Sequence, residues 1–161
     1  MTDTFVIWRK RGCPEPSKGR LFIPCRLKNP LNQRAGWRAV WAHSKVLRGK
    51  SAEYARLSLP RDLFADPTAP KRITFRAHVW RLFDTDEGLN ASLKPIRDGL
   101  GPPITGTRMV KGRRHIVSAP GAGIVHSDGP GCGHLFVYEQ IVDRKNLGVE
   151  VVVEITVEEI G

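Results

Sequence analysis

Residues 71–83 read KRITFRAHVWRLF, and their character alternates: Ile73, Phe75, Ala77 and Val79 are apolar, whereas Arg72, Thr74, Arg76 and His78 are polar. A period of two sends successive side chains to opposite faces of an extended chain, so this run predicts a half-buried strand. Its apolar face needs a second layer to cover it. The stretch GVEVVVEITVEEI, residues 148–160, repeats the pattern. There Val149, Val151, Val153, Ile155 and Val157 are expected to face in, and Glu150, Glu154, Thr156 and Glu158 to face out. With HLFVYEQIV just before it, this segment predicts a terminal β-hairpin.

The remaining elements are read in the same way. FVIWRKRGCPEPSKGRLFIPCRL, residues 5–27, predicts two short strands around a Pro/Gly-rich turn, followed by a loop, NPLNQRAGW. Residues 38–59 have helical composition, with a break at Gly49 and with Trp37, Val40, Trp41 and Leu47 on one core-facing side. A second helix is expected from about Asn90 to Leu100, starting late or bending because of Pro95. Residues 101–123 read as a loop carrying the basic patch Lys111–His115. The order β-β-α-β-α-β-β predicts a single α+β domain spanning 1–161, with about two helices packed on a mixed sheet.

Bulk properties narrow the function. The chain has 161 residues, 40% hydrophobic and 26% charged, enough for one domain with a genuine core. No run is long and apolar enough for a membrane span, and the N-terminus lacks a signal-peptide layout, so a cytoplasmic protein with no membrane partner is expected. Cys13, Cys25 and Cys132 are scattered and odd in number, which argues against a disulfide framework. The net charge is +10, and residues 1–50 carry all of the excess, with twelve Lys and Arg against Asp3 and Glu15. A basic N-terminal third points to a polyanion, most simply the phosphates of a nucleic acid, rather than to a small-molecule substrate.

The acidic residues are clustered. FDTDEGLNASLKPIRDGL, residues 83–100, follows the alternating strand directly. Asp84 and Asp86 stand two apart, so in extended chain both carboxylates project to one side, and Glu87 adds a third. Hard oxygen ligands of this kind suit Mg²⁺. Lys94 and Asp98 are spaced i and i+4 on the following helix, which fits an ordinary helical ion pair or a phosphate-facing lysine oriented by its partner. Asp128 lies in a polar turn at the mouth of the next strand, a place from which it would reach Asp84 and Asp86. The same turn supplies zinc-type ligands in His126, Asp128, Cys132 and His134, though no second Cys/His pair completes a standard pattern.

The order of these features resembles the RusA family of Holliday junction resolvases. The likeness covers residues 20–158 and rests on Asp84-x-Asp86, on Lys94 followed by Asp98-x-Leu100, and on Ser127-Asp128. It departs from the family where Glu87-Gly88 replaces an asparagine, in a longer Asp86–Lys94 spacing, and at Ser127, where the family has an aspartate. The resemblance implies a homodimer that binds four-way DNA junctions and hydrolyses them in pairs with Mg²⁺, Mn²⁺ being a possible substitute. It further implies Asp84, Asp86 and Asp128 as metal ligands with Glu87 in reserve, Lys94 beside the phosphate and Asp98 behind it. The DNA backbone would then be gripped by Arg9, Lys10, Arg11, Lys18, Arg20, Arg34 and Arg38, and by Lys111, Arg113 and Arg114. Two other readings are a RusA-like nucleic-acid-binding protein without activity and a zinc-containing interaction domain.

Overall fold

We describe residues 19–28, 36–83, 86–145, 147 and 151–161 of a computed structural model of the chain. The expected first strand, the loop 29–35, Arg9, Lys10, Arg11, Cys13, Lys18, Arg34, Asp84, Val149 and Glu150 lie outside the described residues.

The fold is α+β, with two helices on a mixed four-stranded sheet. Six strands are present among the described residues: β1 (Arg20–Cys25), β2 (Lys71–Val79), β3 (Ile104–Val110), β4 (Arg113–Ala119), β5 (Leu135–Val142) and β6 (Val151–Glu159). The helices are α1 (Trp37–Ser58) and α2 (Asp86–Leu100), with a short 3-10 turn at Arg61–Phe64. The sheet order is β1-β6-β2-β5. β6 is antiparallel to both β1 and β2, whereas β5 runs parallel to β2.

That order corrects the expected terminal hairpin. β5 and β6 are neighbours in sequence but not in space, because β2 lies between them and pairs with both. The alternation of β2 is as expected: Ile73, Phe75, Ala77 and Val79 are buried. In register with them, Leu21, Ile23, Val153, Ile155 and Val157 complete the helix-facing side of the sheet. Leu47 and Ala55 of α1 and Leu89, Leu93, Ile96 and Leu100 of α2 pack into the same core.

Glu154 does face away from the helices, yet it is only 4% exposed rather than solvated. It accepts a hydrogen bond from His78 Nε2 at 3.1 Å and lies 3.3 Å from Arg20 Nε and 3.7 Å from Arg76 Nη1. Arg76 in turn donates to Glu139 at 2.8 Å. A buried carboxylate is tolerated only with partners of this kind.

The helices also differ from expectation. α1 runs through Gly49 without a break, since one glycine costs only about 1 kcal/mol against alanine while the turns on either side are anchored in the core. Its buried face is Leu47, Ser51, Ala52 and Ala55; Trp37 and Trp41 are 73% and 60% exposed and are not core. α2 begins at Asp86, earlier than Asn90, and takes Pro95 inside it. Asp86 and Glu87 in the first turn suit the positive end of the helix, and burial of the Leu89–Leu93–Ile96–Leu100 stripe offsets the hydrogen bond that proline lacks.

Residues 104–119 are not a loop. They form an antiparallel β3–β4 hairpin around Lys111-Gly112, both with positive φ (49° and 75°), the backbone of a tight two-residue turn.

Candidate functional site

The site begins at the C-terminal end of α2, where the last carbonyls of a helix need partners. The chain after the β3–β4 arm supplies them. Ala122 N donates to Gly99 O at 2.8 Å, Ile124 N to Leu100 O at 3.0 Å and Gly123 N to Gly101 O at 2.8 Å. From α1, Arg48 Nε donates to Pro120 O at 2.7 Å and the Arg56 guanidinium donates to Gly121 O. Gly121 is required there, because a Cβ would fall 2.4 Å from Gly101 O. Ile124 and Val125 then enter the core, and His126 N bonds Pro67 O at 3.1 Å. With both sides tied, the turn that follows presents Ser127 and Asp128 at a fixed position.

This turn forms one wall of a cleft of about 290 Å³, lined by Arg48, Lys94, Arg97, Asp98, Gly101, Pro102, Ile104, His126, Ser127 and Asp128. Lys94 and Asp98 of the helix therefore meet Asp128 from a separate segment. Lys94 Nζ contacts both Asp98 oxygens, at 2.8 and 3.0 Å. Lys94 is 56% exposed, so this pair is worth a few tenths of a kcal/mol and exchanges readily for another anion.

Arg97 belongs to none of the motifs read from the sequence, yet it organises the cleft. It lies 3.0 Å from Asp128 Oδ2, donates to the Tyr138 hydroxyl at 2.7 Å and stacks 5.6 Å over the Phe136 ring. Burial opposes its charge, but the Tyr138 hydroxyl and the carboxylates of Asp128 and Asp98 outweigh burial and raise its pKa above the ordinary arginine value. A readable signal did exist: Lys94, Arg97 and Asp98 fall within one turn of the helix.

Asp86 and Glu87 stand elsewhere. They are exposed at the N-terminal end of α2, eight residues before Lys94 in the case of Asp86, about 12 Å along the axis, and neither lines the cleft. The parallel pairing explains this. Leu135 sits opposite Arg72 and Val142 opposite Val79, so the turn before β5 lies at the start of β2, while Asp86 follows its end.

The cleft thus holds two carboxylates, Asp98 and Asp128, each paired with a cation of α2. Among the described residues, no group of three or more His, Cys, Asp and Glu is placed to hold a metal. The zinc-type residues have other contacts. His126 Nδ1 and His134 Nε2 are 3.1 Å apart, and Cys132 Sγ lies 3.9 Å from His134 O. Burial, then His126 and Lys71, hold the His134 pKa below the ordinary histidine value, against the pull of the Pro67 carbonyl.

Of the expected DNA-contacting cations, Arg20 is engaged with Glu154, while Arg38 is exposed on α1. Lys111, Arg113 and Arg114 are exposed at the tip of the β3–β4 arm, with Arg108 and His115 paired next to them. No described helix is long and apolar enough to cross a membrane. Compared with protein-family models, with curated proteins and with solved structures, the chain finds no match.

Proposed function

We propose that the chain is a RusA-like, Mg²⁺-dependent endonuclease that acts on branched DNA. The observation that carries this reading is the meeting of Lys94, Asp98 and Asp128 in one cleft beside a basic arm whose strands are exposed in all but the last residue of β4. Phosphodiester hydrolysis needs positive charge around the pentacoordinate phosphorus and an activated water. Asp128 and Asp98 would hold the metal, Mg²⁺ or Mn²⁺, which when bound supplies Lewis acidity and lowers the pKa of water. Lys94 and Arg97 exchange their carboxylate partners for phosphate oxygens, Arg97 being positioned by Tyr138 and Phe136. Arg48 adds a third cation from α1. Lys111, Arg113 and Arg114 grip the backbone without reading sequence. A twofold dimer would present two such clefts to a four-way junction of matching symmetry.

A second reading is a nucleic-acid-binding module that does not hydrolyse. It is favoured by the pairing of both cleft carboxylates with cations and by the distance of Asp86 and Glu87 from the cleft. One experiment separates the two: a labelled four-way junction and a linear duplex of the same sequence are incubated with the protein in Mg²⁺ and in EDTA. Paired nicks in the junction, in Mg²⁺ only, are expected. Junction binding without nicks supports the second reading, and equal weak binding to both DNAs removes both.

A further inference from the structure

Trp37 and Trp41 stand exposed on α1, against the usual habit of tryptophan in an amphipathic helix. They are spaced i and i+4, and Lys45 and Arg48 continue the same side of the helix toward the cleft. Arg38 lies over the Trp37 ring at 5.5 Å and Lys45 Nζ over the Trp41 ring at 5.3 Å, so each indole meets a cation rather than the apolar core. Trp41 also lines a second cavity, of about 370 Å³, with Lys45, Arg48, Lys94, Pro95 and Val117. Arg48, Lys94 and Asp98 line both this cavity and the cleft, so the two are adjacent.

We infer that this cavity is a stacking site for an unpaired nucleotide, and that the Trp37–Trp41 face of α1 guides a single strand of DNA into the cleft. An aromatic face takes any base, since every base has a π-face, and flanking lysine and arginine hold the phosphates. A base on Trp41 replaces Lys45 over the ring, and Lys45 keeps its charge beside the adjoining phosphate. Val117 and Pro95 supply apolar walls against which the face of a base can pack. The inference rests on reading the chain as a DNA-binding protein, but not on hydrolysis.

The test is fluorescence anisotropy with a labelled twelve-residue oligo-dT and a blunt duplex, in EDTA so that no strand is cut. Trp41→Ala is expected to weaken oligo-dT binding roughly tenfold. Trp41→Phe, which keeps a ring, should stay within about threefold, and the duplex, bound through its phosphates, should be unchanged by either substitution. At 60% exposure Trp41 contributes little to the core, and circular dichroism of each variant checks the fold. Equal weakening on duplex and oligo-dT, or no weakening on oligo-dT, overturns the inference. Nicking of the junction by the wild-type protein is read separately, so its absence leaves this result standing.

Discussion

The far face of the central sheet and the β3–β4 arm are both β-structure rich in arginine, yet they use it in opposite ways. On the sheet, Arg20 and Arg76 converge on the buried Glu154, with His78 bridging to it and Asp143 3.6 Å from the other ring nitrogen. On the arm, every residue of β3 is exposed, as is all of β4 but its last residue, and Arg108, Arg113 and Arg114 face water. Sequence alone counts these charges alike. Their surroundings divide them into charges that hold the fold and charges open to a polyanion.

The largest effect should come from breaking the first group. Glu154→Ala removes the shared partner of Arg20, Arg76 and His78, of which Arg76 keeps Glu139 and His78 keeps Asp143, and we expect a loss of about 2–3 kcal/mol in urea unfolding. A hydrogen bond from His78 holds the Glu154 carboxyl below its ordinary value, burial opposes this, and Arg76 and Arg20 add to the lowering. A carboxyl with a depressed folded-state pKa stabilises fully above its unfolded pKa, near 4.5. That stabilisation drains away as pH falls through the lower folded value. The acid limb of the unfolding curve should therefore flatten in Glu154→Gln.

Arg97→Ala sits between the two groups. It removes the bond to Tyr138 and frees Asp128, for about 1–3 kcal/mol of stability by the same titration, together with a loss of nicking.

The arm should behave in the reverse sense. Arg113→Ala with Arg114→Ala should leave unfolding within about 0.5 kcal/mol of wild type. The slope of log affinity for duplex DNA against log salt should fall by roughly two units, about 0.9 for each phosphate no longer neutralised. An unchanged slope would mean that the arm's charges are not used.

The smallest effect belongs to His134, whose depressed pKa means that the folded state binds fewer protons than the unfolded chain below pH 6.5. Stability is then complete above that pH and declines as pH falls. His134→Gln should flatten the thermal midpoint between pH 7 and pH 5.

What the sequence revealed depended on whether the signal was local. The alternation of β2 and β6 and the stripe on α2 each lie within one segment, and each was readable. The insertion of β2 between β5 and β6 is a pairing across more than sixty residues and leaves no local trace. It also decides which acids can meet: it carries Asp128 toward Lys94 and Asp98 and away from Asp86. The β3–β4 arm was legible in principle, since ITGTRMV and RRHIVSA are β-rich runs flanking Lys-Gly, but its unburied faces lack the apolar alternation that marks a packed strand. The tryptophans of α1 misled because indole is usually core, whereas the true contact face uses Ser51, Ala52 and Ala55, a weak hydrophobic signal.

The most direct test of the cleft is the single-turnover nicking rate of a labelled four-way junction in Mg²⁺ by Asp128→Asn beside the wild type. Asp128 is half-exposed and paired only with Arg97 among the described contacts, so the substitution should leave fold and junction affinity intact. A fall of about a hundredfold or more at unchanged binding is the expected result. Nicking at the wild-type rate by Asp128→Asn would contradict a catalytic cleft at the end of α2.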